Sequence, residues 1–211
     1  SIYAGDLQGN VWRLDLTETV TSTTGSSTTT NSYNYALTKI AKLSDISGTS
    51  QPVTTRPIIA ADPNTGKRYV LIGTGRLLSD TDVTSTQTQT FYAIVDGTKG
   101  YGNFYNSNTT STSGSTTSTS SGVAYPASVS LPVTRSQLVS NTDLLNGIGS
   151  SVTQPMGWYL DLGASTNGIT EQVNIHPIEN NGIVSFAANL PNGDACNPAG
   201  TGREFSVSYS D

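Results

Sequence analysis

Three tight-turn signals, each flanked by short runs rich in β-branched and aromatic residues, set the fold class of this chain. Asp6-Leu7-Gln8-Gly9 separates residues 2–5 from 10–16, and Asp62-Pro63-Asn64-Thr65-Gly66 separates 57–61 from 67–73. Glu179-Asn180-Asn181-Gly182 separates 171–178 from 182–188. In the second turn proline presets one dihedral and glycine supplies a positive φ; the third is an Asn-Gly hairpin signal. Further strand-like runs fall at 39–43, 90–96, 157–162 and 203–209. Residues 136–145 give the one helical hint.

A unit repeats along these runs: a strand, a tight turn, a second strand and a third strand. It reads Arg56-Pro57-Ile58-Ile59, Tyr69-Val70-Leu71-Ile72-Gly73, then Phe91-Tyr92-Ala93-Ile94-Val95-Asp96. It returns as His176-Pro177-Ile178, Ile183-Val184-Ser185-Phe186-Ala187, then Phe205-Ser206-Val207-Ser208-Tyr209. The opening hairpin, through Val11-Trp12-Arg13-Leu14-Asp15, fits the same scheme without its first strand. The expected fold is all-β: about three antiparallel blade-like units of a β-propeller, spanning residues 1–211. Propellers close with roughly four to eight blades. The chain is therefore expected to be part of a larger ring, or to need another chain over its edge strands.

Two Ser/Thr-rich tracts, residues 17–32 and 105–122, interrupt the pattern. Neither offers enough apolar surface to offset the entropy of ordering, so both are expected as surface insertions. They read either as plain linkers or as carriers of glycans. Charged residues are 12% of the chain, against roughly 25% in ordinary globular proteins. The net charge is −5 with no basic patch, which argues against nucleic acid as a partner. No apolar run approaches the roughly 20 residues that span a bilayer as a helix. The first residues already lie in a strand-like run, as expected of a mature or truncated fragment, so the missing leader says nothing about export.

The side chains for common catalysis are sparse. There is one histidine, His176, expected to be structural, and one cysteine, Cys196. One of each cannot form a zinc site of ordinary ligand count within the chain. Neither a Gly-x-Ser-x-Gly elbow nor a phosphate-binding Gly-x-x-x-x-Gly-Lys loop is present. Gly73-Thr74-Gly75-Arg76 follows a strand with no helix behind it, so it reads as a strand-end turn. Asp80 and Asp82 are weak calcium candidates, because two carboxylates without a following Asp-Gly make a poor oxygen cage. Cys196 sits in a turn-rich loop and reads either as a small half-buried residue or as half of a disulfide whose partner lies outside this chain. In the opening hairpin, Asp6 and Asn10 are placed to bond turn amides, Gly9 to take a left-handed conformation, and Trp12 to pack on one face. Trp12 and Trp158 are both expected to be largely buried.

The hairpin Tyr3-Ala4-Gly5-Asp6-Leu7-Gln8-Gly9-Asn10-Val11-Trp12-Arg13-Leu14-Asp15 is similar to the blade motif of quinoprotein-like propellers. With Thr54-Thr55-Arg56-Pro57, Leu71-Ile72-Gly73-Thr74-Gly75-Arg76-Leu77-Leu78, Gln89 through Asp96, Gly157-Trp158-Tyr159-Leu160-Asp161-Leu162 and the Asp194-Ala195-Cys196 loop, it forms an ordered set. That set resembles the C-terminal propeller of the PilY/PilC family of type IV pilus tip-associated adhesins. The resemblance implies an exported, cell-surface or pilus-tip protein that aids pilus biogenesis, adhesion and twitching motility by binding. Its partners would be pilin or minor pilins, a host or abiotic surface, and the rest of the propeller. No cofactor is expected in this chain; calcium, where the family uses it, is implied upstream of Ser1. The family's second closing-loop cysteine has no counterpart here. Two other readings share the fold: a quinone-cofactor (PQQ-type) dehydrogenase, for which the calcium ligands and paired cysteines are missing, and a generic surface scaffold.

Overall fold

The computed structural model describes residues 1–21, 30–98, 104–105, 111–113, 116–118, 123–124, 130–142, 152, 155–192, 194, 196 and 199–210. The first sheet contains β1 (Ile2–Gly5), β2 (Asn10–Thr21) and β3 (Thr30–Lys42), in that order. The second is built on β4 (Ile58–Ala61), β5 (Lys67–Gly73), β6 (Thr90–Thr98) and, after short strands β7 (Phe104–Tyr105), β8 (Ser111–Ser113), β9 (Thr116–Ser118), β10 (Val123–Ala124) and β11 (Val139–Ser140), β12 (Gly157–Asp161). Its order is β11-β12-β6-β5-β4. The third contains β13 (Ile178–Asn180), β14 (Ile183–Pro191) and β15 (Gly200–Ser208). These are three propeller blades, and among the described residues they form no closed ring.

The structure changes several details of the sequence reading. Residues 157–161, within the run 157–162 expected as a strand but assigned to no unit, form the fourth strand of the second blade, antiparallel to β6 with Trp158 opposite Ala93. The third hairpin begins only at Ile178; residues 171–177 are a blade-entry segment with a bridge from Gln172 to Asn189. The helical hint at 136–145 divides into a 3-10 turn at Arg135–Gln137, strand β11 and helical residues 141–142, with 143–145 outside the described residues. The described parts of the two Ser/Thr tracts include strand: residues 17–21 and 30–32 extend β2 and β3, and β8 pairs with β9. The rest of the tracts, 22–29 and most of 105–122, lies outside the described residues.

One joint recurs between blades. Residues 44–58 and 164–178 lie 120 positions apart and share glycine, valine, proline and isoleucine at Gly48/Gly168, Val53/Val173, Pro57/Pro177 and Ile58/Ile178. Each segment closes a small loop through an antiparallel bridge, Ser44 to Ser50 and Ala164 to Thr170. Each then stitches two blades together. The Val53 amide donates to the Asp6 carbonyl at 3.0 Å, and the Val173 amide to the Thr74 carbonyl at 2.9 Å. One residue earlier, the carbonyls of Pro52 and Gln172 accept from Gly75 and Asn189 of the blade being entered. The valine side chains rest on glycines of the preceding blade. A Cβ on Gly5 would lie 2.4 Å from Val53 Cγ1, and one on Gly73 would lie 2.4 Å from Val173 Cγ1.

The two blade interfaces differ in chemistry. Between the first and second, buried Arg13 pairs with buried Asp96 (Nη1 to Oδ1, 2.5 Å) and through Nε with Asp15 at 2.7 Å. The Tyr3 hydroxyl also donates to Asp96 at 2.8 Å, and burial together with that carboxylate pushes the Tyr3 phenol well above its ordinary value. Between the second and third, the contact is aromatic. Phe91 stacks on Phe186 at 3.9 Å between centroids, Phe186 stacks on Phe205 at 4.8 Å, and Tyr69 meets Tyr209 edge-on. Residues 130–142 seal a further edge, with Val133 bridged to Ala41 and β11 parallel to β12. Arg135 stacks 3.8 Å over Tyr159 and pairs with Asp161.

Trp158 is buried, its indole N–H donating to the Tyr209 carbonyl at 3.1 Å. Trp12 is only half-buried, a departure from the sequence expectation. It lies on the strand face opposite Arg13, which points into the second blade, and is covered there by Lys39 at 5.0 Å. Trp158→Ala should therefore cost about 3–5 kcal/mol, and Trp12→Ala about 1–2 kcal/mol, in denaturant titration; equal losses would contradict this placement. Gly73→Ala should cost about 1–3 kcal/mol by overpacking, and Val173→Ala in the same chain should recover part of that loss. A double-mutant cycle with no coupling would show that the valine-on-glycine contact is not what fixes the joint.

Candidate recognition face

Strand alternation gathers the connections at one end of the blades. The β1–β2 turn, both blade-entry segments, the β5–β6 loop and the β14–β15 loop all lie there. The ends of β2, β3 and β6, where the Ser/Thr tracts attach, lie at the opposite end.

Several of these loops are organised around a carboxylate that accepts backbone amides. Asp6 Oδ1 accepts from the amides of Gln8 and Asn10, both at 2.9 Å. Asp6 Oδ2 accepts from Asn10 Nδ2 at 2.8 Å and Trp12 Nε1 at 3.0 Å. Gly9 has φ 75° and a Cβ there would lie 2.5 Å from the Leu43 carbonyl, so only glycine fits. The sequence reading placed Asp6 and Gly9 correctly, but Asn10 donates to Asp6 and not to an amide, and the bond from Trp12 was unforeseen. Asp45 repeats the pattern, accepting from Ser47 and Thr49 amides at 2.9 and 3.0 Å, and also from Gln87. Asp15 sits apart from this end, bonded to Arg13.

The two calcium candidates are divided by the fold. Asp80 is exposed in the 3-10 turn Asp80–Thr84. Asp82 is buried: its Oδ1 receives Arg76 Nε and Nη2 at 2.8 and 2.7 Å, and its Oδ2 the amides of Leu78 and Ser79 at 2.9 Å. Its carboxylate is thus committed to organising the loop and does not join Asp80 in an oxygen cage. Among the described residues no three of His, Cys, Asp and Glu converge. Cys196 is exposed in the β14–β15 loop, its amide bonded to Asp194 Oδ1 at 2.9 Å. His176 Nδ1 accepts from the Arg56 amide at 3.2 Å, joining the two blade entries. No described helix is long and apolar enough to cross a membrane.

Buried amides complete the scaffold, and little in the residue pattern points to them. Gln51 Nε2 donates to the Thr88 carbonyl and Thr90 Oγ1, both at 2.7 Å, while its Oε1 accepts from Tyr92 at 2.5 Å. Burial pushes Tyr92 up to about 12. Gln172 Nε2 donates to the Asp82 carbonyl at 3.0 Å, and its Oε1 accepts from the Arg76 amide at 2.7 Å. A cavity of about 150 Å³ opens between the β1–β2 turn, the two entry segments and the β5–β6 loop, with Leu7, Pro52, Arg76 and Gln172 among its lining.

The carboxylates at this end should make the fold acid-labile. Burial pushes Asp6 upward, but the bonds from Asn10, Trp12 and the turn amides outweigh it and hold the group at about 2. Asp82 is likewise held at about 2, burial being outweighed by Arg76 and the loop amides. Both folded values lie below the unfolded value of about 3.9. Their stabilisation is complete above that value and is lost as pH falls toward 2, on the order of 2 kcal/mol for each. Chemical denaturation between pH 6 and pH 2, run on the wild type and on Asp6→Asn, checks this. The variant should be less stable by about 1.5–3 kcal/mol at neutral pH, because an amide NH₂ would face the Asn10 and Trp12 donors, and its acid slope should be shallower.

Comparison with known proteins accords with this architecture. A solved structure, the Pseudomonas aeruginosa PilY1 C-terminal domain, superposes with a TM-score of 0.61 at 19% identity, covering 98% of this chain and 43% of that one. A type IV pilus biogenesis factor PilY1 homolog of Xylella fastidiosa is 30% identical over 97 residues, 45% of this chain and 7% of that protein. The type IV pilus biogenesis factor PilY1 of Pseudomonas aeruginosa is 28% identical over 109 residues, 44% of this chain and 9% of that protein. The chain thus spans less than a tenth of the length of these curated relatives. The model of the PilY1 beta-propeller domain matches residues 1–120, and with more than half of its length so matched, the chain belongs to the PilY1 β-propeller family.

Proposed function

We propose that this chain is propeller from a type IV pilus biogenesis factor, working at the cell surface or pilus tip by binding and not by catalysis. Family membership carries the reading. The fold supports it, since blades stitched at fixed joints hold recognition loops rigidly while leaving their exposed side chains free to vary. The loop end presents Leu7, Ile46 and Leu78, which are 50%, 89% and 69% exposed, on turns whose backbones are pinned by Asp6, Asp45 and Asp82. Exposed apolar residues on rigid turns suit contact with another protein or a surface.

The partners we propose are of two kinds. Pilin or minor pilins and a host or abiotic surface would meet exposed loops, including the loop that carries Cys196. The rest of the propeller would cover the outward face of the first blade. There Ile2, Leu16, Tyr35 and Leu37 are each more than half exposed, and the register sets Leu14 between Ile2 and Leu37. Calcium, a cofactor of the full-length protein in this reading, would act through residues outside this chain. A disulfide from Cys196 would reach a partner outside it as well.

The test is deletion of the gene in its source organism, complemented with full-length protein or with protein lacking this region. Loss of piliation, twitching or surface attachment with the shortened protein is the expected result. Retention of all three, with the shortened protein exported at normal level, would reject the reading.

A further inference from the structure

Among the described residues, the third blade lacks the strand that the other two carry at their outer edge. β2 pairs with β3 and β6 with β12, whereas β15, in the same place in the third blade, pairs with β14 alone. The Tyr209 amide donates to the Gly182 carbonyl at 3.3 Å and the Asn192 amide to the Ala199 carbonyl at 3.1 Å. Odd-numbered residues of β15 therefore bond β14, and by antiparallel alternation the amides and carbonyls of Gly202, Glu204, Ser206 and Ser208 point away from it. These groups meet no backbone partner among the described residues. The outer edges of the other two blades are closed by residues 130–142. Val133 exchanges backbone bonds with Ile40 and Lys42 beside β3, and β11 lies along β12. The nine residues of β15 are thus left as a template for another strand.

The two faces of β15 define what such a strand would be. Gly75 and Asn189 donate equivalent bonds to their entry segments, so Leu71, Gly73, Phe91 and Ala93 correspond to Ser185, Ala187, Glu204 and Ser206. In the second blade these positions pack against the third, and Leu71, Phe91 and Ala93 are fully buried. In the third blade they make a largely polar outer face, whose large apolar side chains are Ile178 and Ile183, on β13 and at the start of β14. Ala187 places a methyl where Gly5 and Gly73 each receive a valine, so a further blade cannot join there in the same way. The opposite face of β15 carries Phe205 and Val207, half-buried toward the second blade, with Arg203 4.6 Å over the Phe205 ring. The second blade reaches past β15 by two strands, β12 and β11, and Trp158 Nε1 bonds the Tyr209 carbonyl. That overhang leaves space for a strand beside β15. A second copy pairing there would drive its own second blade into β12.

We propose that the free edge of β15 accepts one antiparallel strand from another polypeptide. The donor strand alternates. Apolar, β-branched residues lie opposite Phe205 and Val207, hydroxyl residues opposite Ser206 and Ser208, and a basic residue opposite Glu204. The donor lies outside this propeller, because no blade built like the others seats on the outer face to hand a strand over. The proposal rests on the reading that this chain works by binding, and it names one surface that binds. Failure to accept a strand would leave the deletion phenotype as expected, and an unchanged phenotype would leave strand binding to be read on the purified protein.

The test uses purified full-length protein and a synthetic peptide, acetyl-Thr-Val-Thr-Val-Lys-Val-Thr-amide, whose first residue would lie opposite Ser208. Hydrogen exchange is read at single residues by fragmentation mass spectrometry. Without peptide, the amides of Glu204, Ser206 and Ser208 should exchange freely while those of Arg203, Phe205 and Val207 are protected. Saturating peptide should protect the first set. N-methylation of the peptide's Thr and Lys amides, which face β15, should abolish binding, and N-methylation of its Val amides should not. Ser206→Pro removes an outward amide from an edge strand, where proline is tolerated. It should weaken the peptide at least ~10-fold, the equivalent of about 1.4 kcal/mol. Glu204→Lys should weaken it too, with recovery when Glu replaces the peptide's Lys, and decides the matter should Ser206→Pro fail to fold. Protection of the outward amides before peptide is added would overturn the proposal. Protection independent of protein concentration would show a strand of the same protein in place, and protection that rises with concentration a second copy. No saturable binding up to ~1 mM, or equal binding by the two methylated peptides, would overturn it as well.

Discussion

The structure depends on the contact of a valine with a glycine across each blade joint. Val53 on Gly5 and Val173 on Gly73 bring the entry backbone closer to the preceding blade than any side chain at the glycine would permit. That proximity lets the valine amide bond to the preceding blade while the residue before it bonds to the blade being entered. Each entry segment is therefore held on both sides. It cannot shift without breaking backbone bonds in two sheets, and a buried amide or carbonyl left unpaired is costly. Blade spacing and the position of the loop end follow from these joints.

The interfaces on either side of the second blade show how one joint accommodates different chemistry. On one side Arg13 and Asp96 are buried together, with Tyr3 and Asp15 taking up further bonding capacity. Such a pair contributes little net stability over an apolar contact, and its removal from one side only is expensive. On the other side the stacked rings of Phe91, Phe186 and Phe205 bury apolar area directly. The charged cluster sits away from the loop end, Asp96 lying near the far end of β6, whereas Phe91 lies at the start of β6, beside that end.

Much of the fold was legible because its signals are local. Gly9, Gly66 and Gly182 each adopt a positive φ in a turn whose residues predicted it. Asp6 accepts the turn amides its position implied, and Asp62, for which no such role was read, does the same in the second turn. The alternation of buried and exposed residues along β14 is visible in Ile183-Val184-Ser185-Phe186-Ala187-Ala188. What escaped the sequence reading is long-range. Residues 157–161 pair with a strand some sixty positions earlier, across an insertion, and nothing in Gly157-Trp158-Tyr159-Leu160-Asp161 names that partner. Trp12 shows the same limit. Alternation correctly put it on one face of β2, but which face meets another blade is decided by Arg13 reaching Asp96, a residue 83 positions away.

The candidate site was legible in its punctuation and not in its amides. The glycines and aspartates that bend the loops are conspicuous in a sequence with few charges, whereas Gln51, Gln89 and Gln172 look like ordinary surface residues until the entry segments fold over them. Their burial follows from the joint. Once Val53 and Val173 are seated, Gln51 and Gln172 are carried beneath the β5–β6 loop, where they must bond or destabilise it. Gln51 and Gln172 do so, with partners from Tyr92, Thr90, Asp82 and Arg76. Gln89 is carried into the same layer with its carbonyl unsatisfied. The scaffold thus meets this requirement at Gln51 and Gln172 and encloses the Gln89 carbonyl unpaired, a cost that the joints on either side of it must outweigh.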